Sequence, residues 1–365
     1  MKIARGFLLV VLACSLLLAG VSTAVAAAAI TVTDFAGRTV EVPADPQRII
    51  CLGPGMLRLI VYLEKKDVVV GVESMEKRYP GSRPYMLAHP ELADLPPVGP
   101  GGAAAINKEP DLEAVLKVAP ELIFVTYMEP SKADVLSQKL GIPVVVLSYG
   151  DLALFDDLVF KSLQLAGKIL GAEKRAGEVI QYISAAREDL RRRTRDIGDD
   201  AKPAVYVGGL GARGSHGIES TNTFYTPFEW LGARNAARQV TNEGQVFIGK
   251  ENLLNVDPDV IFLDGAGLPL VKEDYAKKPE FYKALKAFRE KRVYVLLPFN
   301  YYTTNIETVV ADAYAVGKIL YPERFADVDP EAKTDETYQF MVGKPVYDLM
   351  KKDHGVIGRP ADFFE

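Results

Sequence analysis

The sequence predicts an α/β fold of two lobes with mainly parallel sheets, linked by a long interdomain α-helix. Short apolar, β-branched runs alternate with amphipathic segments, a pattern typical of parallel sheets. The alternation occurs twice, on either side of a charged, proline-free segment at 154–198. A peptide at 113–125 also recurs at 251–263. We therefore expect two related lobes rather than one large core.

The first 26 residues are typical of a secretory signal peptide. Two basic residues precede an apolar run at 7–19, which is shorter than the ~20 residues of a membrane span. The tripeptide Ala-Val-Ala at 24–26 fits a cleavage site. An uncleaved anchor, or a lipid on Cys14, is the alternative. We expect a periplasmic chain in which Cys51 is the one remaining cysteine, so that no intrachain disulfide can form.

The composition argues against several classes of function. The formal net charge is −5, and −7 without Lys2 and Arg5, which disfavours nucleic-acid binding. The three histidines, His89, His216 and His354, are far apart, whereas a zinc or manganese site needs clustered ligands. No G-x-S-x-G or H-E-x-x-H pattern is present, so we expect neither an enzyme nor a cofactor. A secreted hydrolase is kept as a remote alternative.

The first lobe is expected at 27–153. Its predicted strands are apolar and bounded by glycine or proline, and its predicted helices have one apolar face. The turn Gly53-Pro54-Gly55 opens a helix whose free N–H groups could bind an anion. In chain order we expect a hairpin at 30–42, strands at 48–52 and 68–72 around a helix at 56–65, and strands at 122–127 and 144–148 around a helix at 131–140.

The segment at 154–198 has helical periodicity and a charged second half. We predict one linking helix of about 60 Å, although two helices broken near Gly171 also fit. The second lobe is expected at 199–325, where the alternation restarts, and a surface helical tail at 326–365. Within this lobe we expect strands at 205–208, 260–263 and 292–297, and helices beginning at 227, at 279–289 and at 306–320.

The internal repeat has an offset of 138 residues. Residues 113–125 read EAVLKVAPELIFV and residues 251–263 read ENLLNVDPDVIFL, with six identities in thirteen positions. Each copy is predicted to form a short helix, a proline turn and a buried strand. Glutamates Glu113 and Glu251 open the two copies, and a proline follows seven residues later in each. The repeat indicates that the two lobes are related.

The start of the chain resembles a known family. The segment ITVTDFAGRTVEVPADPQRI at 30–49 is similar to the opening of periplasmic binding proteins that serve importers of iron-siderophore complexes, haem and cobalamin. The shared pattern is T-D-x-x-G-R-x-V-x-V-P-x-x-P-x-R-I. The segment at 111–125 resembles a second motif of the family, with Glu121 in place of aspartate. The resemblance spans residues 30–322 and implies two Rossmann-like lobes on one long helix, with a ligand cleft between them.

The resemblance also implies a partner. In that family one surface glutamate on each lobe binds arginines of an ABC permease dimer in the inner membrane, and Glu113 and Glu251 occupy the matching positions. Two carboxylates at a fixed separation can steer docking and set its register. The alternative is that both glutamates only stabilise the positive end of a helix. We expect a monomer that docks onto this permease.

Candidate ligand-binding residues follow the predicted strands, because ligands of open α/β sheets bind at the carboxyl ends of strands. The richest loop, 208–228, is glycine-rich and polar and suits a partly anionic chelate. A solvated loop, or tyrosines packed at the lobe interface, is the alternative. Two candidates, His216 and Tyr301, could contact a metal. The full set is Gly55, Met56, Tyr79, Arg83, Tyr85, Met86, Tyr127, Met128, Glu129, Arg213, His216, Ser220, Thr221, Asn222, Tyr225, Tyr301 and Tyr302.

The sequence therefore predicts an extracytoplasmic solute-binding protein. We expect its cargo to be a chelated metal, such as a ferric siderophore, haem or a corrinoid, because tyrosine rings could stack on it or ligate ferric iron. The alternative cargo is an oxyanion such as molybdate or tungstate, held by backbone N–H, serine and arginine groups. The identity of the cargo, its exact ligands and the order of the tail stay open at this point.

Overall fold

The computed structural model describes residues 29–78, 80–151, 154–211 and 214–363. The predicted signal peptide at 1–26 lies outside these ranges, as do the candidate residues Tyr79 and Arg213. Two four-stranded parallel sheets form the centres of two α/β lobes. The predicted fold class is therefore confirmed.

The sheet of the first lobe has the strand order β4-β3-β5-β6. Strands β3, β5 and β6 are buried along their whole length, as expected for parallel strands covered by helices on both faces. An antiparallel hairpin of β1 and β2 precedes the sheet. The elements are β1 Ala29–Thr33, β2 Thr39–Pro43, β3 Ile49–Leu52, α1 Met56–Tyr62, β4 Val69–Gly71, α2 Pro84–Ala88, α3 Leu112–Val118, β5 Leu122–Thr126, α4 Pro130–Leu140 and β6 Val144–Leu147.

The sheet of the second lobe has the equivalent order β9-β7-β11-β12. Strands β7 and β11 at its centre are fully buried, and β8 pairs with β10 in a separate antiparallel ribbon. The elements are β7 Ala204–Gly208, β8 Ser220–Asn222, α7 Thr226–Leu231, β9 Arg234–Asn235, β10 Gln245–Phe247, α8 Gly249–Val256, β11 Val260–Asp264, α9 Leu268–Lys277, α10 Pro279–Ala284, α11 Lys286–Arg289, β12 Val293–Leu296 and α12 Ile306–Leu320. Helices α5 (Leu158–Ile169) and α6 (Glu173–Thr194) lie between the two lobes in the sequence.

The internal repeat is visible in the backbone. Strands β5 and β11 have the same bounds once the offset of 138 residues (260 − 122) is applied. The helix before each strand ends at a left-handed residue, Ala119 with φ 43° and Asp257 with φ 33°. The carboxylate two residues later, Glu121 or Asp259, accepts a hydrogen bond from a backbone N–H at the start of the neighbouring strand. The donors are Arg48, just before β3, and Ala204 of β7. The lobes are therefore related in local detail as well as in strand order.

The segment between the lobes forms two helices. α5 spans Leu158–Ile169 and α6 spans Glu173–Thr194. Gly171 separates them at φ 60°, a left-handed conformation that glycine adopts without steric cost. The prediction of one helix over 154–198 is wrong in this respect, and the alternative break near Gly171 is what the structure contains. α6, with 22 residues or about 33 Å, is the long interdomain helix.

The two lobes share a continuous apolar core. The largest cluster of buried apolar side chains contains residues of α1 and β3 from the first lobe, of α6, and of α7 and α12 from the second. Helix α12 is buried along nearly its whole length, because α6, α7 and α13 (Pro330–Val342) pack around it. Close packing of this kind resists deformation, so we expect only modest hinge motion between the lobes.

The C-terminal tail packs against both lobes. Toward the first lobe, the carbonyl oxygen of Val342 accepts a hydrogen bond from His89 Nε2 at 2.8 Å. His354, the last residue of α14 (Tyr347–His354), places its Nε2 3.0 Å from Ser82 Oγ. Toward the second lobe, residues 358–361 run antiparallel beside β12 and bond to its backbone. The tail therefore covers an edge strand that would otherwise expose unpaired backbone groups.

Two neighbouring residues of α14 offer a matched test of this packing. Met350 is fully buried and Leu349 is 47% exposed. We expect Met350→Ala to lower the free energy of unfolding by about 2–4 kcal/mol through the cavity it creates, and Leu349→Ala by less than about 0.5 kcal/mol. Urea unfolding followed by circular dichroism measures both. Equal, small losses would show that the tail does not contribute to the folded core.

Candidate functional site

Loops at the carboxyl ends of both sheets meet between the lobes. We call the meeting point the interlobe junction. On the first lobe it comprises residues 53–62, Glu73 and Tyr127, and on the second lobe residues 297–307. These segments follow β3, β4, β5 and β12, so the junction lies where ligands of open α/β sheets bind.

Gly55 allows the lobes to approach each other closely. Its φ is 76°, and a Cβ placed there would lie 2.5 Å from the Thr303 side chain and 2.7 Å from the Tyr149 ring. The backbone carbonyl of Gly55 accepts a hydrogen bond from Tyr149 Oη at 2.8 Å. The predicted turn after the first strand is thus present, and its glycine is required by both backbone conformation and space.

Arg58 joins the lobes at the centre of the junction. Its side chain is fully buried, and its guanidinium donates to the carbonyl oxygens of Tyr301, Tyr302 and Thr304 at 3.0, 3.2 and 2.8 Å. Tyr302 and Thr303 have φ of 54° and 63°, which turns these carbonyls toward one point. Such left-handed residues cost of order 1–3 kcal/mol each and persist only where the surroundings hold them. Arg58 supplies that constraint.

A buried carboxylate lies next to Arg58. Glu307, the second residue of α12, is fully buried and hydrogen-bonded to Tyr62 Oη, which also accepts the backbone N–H of Ile306 at 3.2 Å. Burial raises the pKa of Glu307, and the nearby Arg58 guanidinium partly offsets this rise. For Arg58, burial acts to lower the pKa, but the neighbouring tyrosines and Glu307 raise it above its usual value. The junction therefore contains a guanidinium that stays charged.

A second contact between the lobes connects Glu73 with Tyr302. Tyr302 Oη donates to Glu73 Oε2 at 2.5 Å, and the backbone N–H of Gly53 donates to the same oxygen at 3.0 Å. The N–H of Gly102 donates to Tyr302 Oη at 3.0 Å. Glu73 is 6% exposed, and this burial raises its pKa from 4.5 to about 7.

The pKa of Glu73 predicts a pH dependence of stability. A carboxyl group whose pKa is raised on folding stabilises the protein below its unfolded pKa of 4.5, and that stabilisation is lost as the pH rises through about 7. We expect Glu73→Gln to remove up to about 3 kcal/mol of the stability change between pH 5 and pH 8. Urea unfolding at several pH values measures the slope.

Glu109→Gln is the matched control, because Glu109 is exposed and pairs with Lys139. The slope should decrease in Glu73→Gln and stay unchanged in the control. It should not vanish, since burial also raises the pKa of Asp264 to about 7. An unchanged slope in Glu73→Gln would contradict the buried position of this carboxyl group.

Two buried hydroxyl groups at the junction interact with each other and make no hydrogen bond of standard geometry with any described residue. They are Tyr127 Oη from the first lobe and Thr303 Oγ1 from the second. Burial raises the pKa of Tyr127 to about 12, although the neighbouring Thr303 hydroxyl acts to lower it as a hydrogen-bond donor, so the phenol is neutral at pH 7. Unsatisfied buried polar groups are costly. Neutral hydroxyls in this situation suit a ligand that accepts hydrogen bonds.

The predicted residues Arg83 and Tyr85 are buried within the first lobe. Arg83 Nη1 donates to Glu76 Oε2 at 2.5 Å, and Tyr85 Oη donates to the same oxygen at 2.7 Å. The Arg83 guanidinium also lies 5.5 Å from the ring centroid of Tyr301, which is partly exposed. These side chains are therefore paired with protein groups, and their predicted contact with cargo stays a prediction.

The polar loop after β7 is more deeply buried than its composition indicates. Tyr225 packs its ring against Phe228 and Phe299. His216 is partly exposed and touches the ring of Phe247, with centroids 4.8 Å apart. Their ligand roles stay predictions. Several other candidates are also buried, namely Met56, Met86, Met128, Ser220, Thr221 and Asn222, whereas Glu129 is exposed.

Sequence reasoning missed two residues of the junction and a third, Tyr149, that bonds to it. Arg58, Glu73 and Tyr149 were not among the predicted site residues, although all three are buried and polar. Arg58 did carry a signal, since it is the only charged residue in the otherwise apolar helix MLRLIVY. A charge that is surrounded by apolar residues needs a buried partner. Nothing in the local sequence names that partner, because it lies more than 240 residues away.

Two described cavities differ in size and position. One of about 20 Å³ is lined by Gly53, Glu73 and Thr126 at the carboxyl edge of the first sheet, which is room for a water molecule. A groove of about 800 Å³ lies elsewhere, between Arg187 and Arg191 of α6 and Trp230 of α7. Trp230 is the single tryptophan of the chain, so its fluorescence would report on this groove rather than on the junction.

Neither a metal cluster nor a membrane span occurs in the described part of the chain. No group of three or more histidine, cysteine and acidic side chains within it could hold a metal ion. No helix there has the length and apolarity needed to cross a bilayer.

The predicted docking residues occupy equivalent surface positions. Glu113 and Glu251 are both exposed and both lie in the first turn of their helices, α3 and α8. Each helix precedes a central strand of its sheet. The placement is consistent with either a docking role or a favourable interaction with the helix dipole.

Comparison with known proteins finds relatives that are binding proteins by their names. The molybdate-binding protein MolA of Haemophilus influenzae is 26% identical over 331 residues, which cover 84% of this chain and 89% of MolA. The structure of MolA bound to molybdate superposes with a TM-score of 0.68 at 23% identity and covers 87% of this chain and 98% of that one. The structure of the petrobactin-binding protein YclQ of Bacillus subtilis superposes with a TM-score of 0.58 at 18% identity. It covers 80% of this chain and 99% of YclQ.

These structural likenesses show the fold. The family itself follows from the sequence profile of the "Periplasmic binding protein" family, which matches residues 49–298, more than half of the chain. The match includes most of both lobes and the two helices between them. The chain therefore belongs to the periplasmic binding protein family.

Proposed function

We propose that this chain captures one small oxyanion at the interlobe junction, without catalysis, and delivers it to an ABC permease. The observation that supports the oxyanion is a pair of buried hydroxyls from opposite lobes, Tyr127 Oη and Thr303 Oγ1, which make no hydrogen bond of standard geometry in the structure. Both are neutral donors at pH 7, and the charged Arg58 guanidinium lies in the same junction. An anion held there would gain charge-assisted hydrogen bonds from both lobes.

The contacts between the lobes also favour a small cargo. Arg58, Gly55 and Tyr302 of the junction touch the opposite lobe directly. A haem or a siderophore needs a pocket of roughly 300 Å³ or more, so these contacts would have to separate before it could bind. A tetrahedral oxyanion requires far less displacement. MolA, which shares 26% identity with the chain, binds molybdate by its name.

A chelated metal is the second candidate cargo. The ring of Tyr301 is partly exposed at the junction and could stack on a flat ligand. YclQ, which has the same fold, binds petrobactin by its name.

Isothermal titration calorimetry distinguishes the two cargoes. Molybdate, tungstate, sulfate, a ferric siderophore, haem and cobalamin would each be titrated into the purified protein. We expect one molybdate or tungstate per chain, bound roughly 10–100-fold more weakly by Tyr127→Phe and by Thr303→Val, because each variant loses one hydrogen bond to an anion.

Tyr321→Phe is the matched control, because the Tyr321 hydroxyl is also buried and makes no hydrogen bond of standard geometry but lies beyond the end of α12. Its affinity should equal that of the wild type. If the protein bound a chelate but no oxyanion, the proposal of an oxyanion cargo would be overturned and a chelated metal would be favoured. Unchanged affinities in Tyr127→Phe and Thr303→Val would show that an oxyanion, if bound, binds elsewhere.

The permease belongs to the same proposal. Glu113 and Glu251 are exposed, equivalent in the repeat and placed one on each lobe. Two identical carboxylates on related lobes suit a partner that is itself a two-fold dimer. Electrostatic contacts of this kind determine the rate and the register of docking more than its final affinity.

A further inference from the structure

Two leucines are exposed at equivalent positions of the internal repeat. Leu116 in α3 is 52% exposed and Leu254 in α8 is 37% exposed. The preceding residues Val115 and Leu253, which are also equivalent to each other, are fully buried. The repeat therefore preserves an inward apolar position and an outward apolar position in both lobes. Packing of the helix on its sheet explains only the inward one.

Each exposed leucine lies beside one of the surface glutamates. Leu116 follows Glu113 by three residues and Leu254 follows Glu251 by three, so leucine and glutamate share one face of the helix. Lys250, the basic neighbour of Glu251, pairs with Asp274 instead. Each lobe therefore presents an apolar side chain and an exposed carboxylate together.

We propose that Leu116 and Leu254 are the apolar contacts of a two-point docking surface for the permease dimer. Each leucine would enter an apolar depression next to the cation that binds the neighbouring glutamate. This inference rests on the proposed delivery to an ABC permease and adds its second contact chemistry. A single exposed leucine is common on protein surfaces, so the argument depends on the equivalence of the two sites.

The division of roles follows from physical chemistry. Exposed carboxylates act over several ångströms and guide the approach, whereas their net contribution to affinity is small once they are desolvated. Burial of an aliphatic side chain acts only on contact and slows dissociation. The leucines should therefore determine how long the loaded protein stays bound, and the glutamates how fast it arrives.

The test uses spheroplasts of the source organism that lack their own copy of the protein. Purified protein loaded with molybdate, or with the solute identified by calorimetry, is added at increasing concentration and the initial uptake rate is recorded. Leu116→Ser with Leu254→Ser should raise the half-saturating concentration roughly tenfold, and each single change roughly threefold. Leu270→Ser with Leu349→Ser, two exposed leucines outside α3 and α8, is the control and should match the wild type.

Solute affinity and thermal stability, measured on the same preparations, should be unchanged in the leucine variants. A half-saturating concentration within twofold of the wild type in the double variant would overturn the inference. If a Glu113→Ala, Glu251→Ala protein still lost uptake in that case, the proposed permease docking would stand without the leucines. A further control measures binding to protein-free vesicles of the same lipids. If the wild type bound these vesicles and the double leucine variant did not, the leucines would contact the membrane surface instead, and the inference would equally be overturned.

Discussion

Replacing Arg58 by methionine is expected to lower the free energy of unfolding by about 3–5 kcal/mol. The substitution keeps the volume of the side chain but removes the donor for three carbonyl oxygens of the loop after β12. It also removes the positive charge beside the buried Glu307 carboxyl group. Urea unfolding at pH 7, followed by circular dichroism and by the fluorescence of Trp230, measures the loss.

Two further variants make this result interpretable. Arg58→Lys keeps the charge but not the planar guanidinium, which reaches several carbonyls at once. Its free energy of unfolding should therefore fall by an intermediate amount. Arg187→Met is the control, because Arg187 pairs with the exposed Asp157 at 2.8 Å and should cost less than about 1 kcal/mol. If Arg58→Met were as stable as Arg187→Met, the lobes would not depend on this contact.

Removing both docking glutamates is expected to reduce solute uptake at least tenfold while leaving solute binding intact. Glu113→Ala with Glu251→Ala removes the charge from both lobes, and electrostatic steering of this kind accelerates association by on the order of 10- to 1,000-fold. Each single variant should be intermediate. The measurement is uptake by cells that carry only the variant, together with calorimetric affinity for the solute.

Glu109→Ala with Glu273→Ala is the matched control, since each residue is an exposed, surface-paired glutamate on one of the two lobes. Its uptake should equal that of the wild type. Normal uptake in Glu113→Ala with Glu251→Ala would contradict docking through these positions and would leave the helix dipole as their role. Loss of solute affinity in that variant would place the glutamates in the binding site, which the structure does not indicate.

Local patterns predicted the central parallel strands of both sheets well because each is a short, largely buried run, but they did not predict β8, β9 or β10. The strand expected at 122–127 is Leu122–Thr126, and that expected at 48–52 is Ile49–Leu52. The repeat predicted the relation between the lobes correctly, since it records helix, turn and strand together. The break at Gly171 was visible as an alternative, but helical periodicity on both sides favoured one helix.

The interlobe junction was harder to predict because its contacts join distant parts of the chain. Arg58 acts on carbonyls of residues 301–304, and backbone oxygens carry no sequence signal. Tyr225 lies in a polar, glycine-rich loop, yet pairing of β8 with β10 folds that loop inward and buries its ring. The polar composition of this segment therefore did not predict the burial of Tyr225, and the ligand role expected for the loop stays a prediction.

Hydrogen–deuterium exchange with and without the bound solute tests the central claim most directly. If the solute binds between the lobes, exchange should slow at 53–58 and 127–129 of the first lobe and at 298–305 of the second, all in one saturable transition. The rest of both sheets should change little. Slower exchange confined to one lobe, or located at the groove beside Trp230, would contradict capture at the interlobe junction.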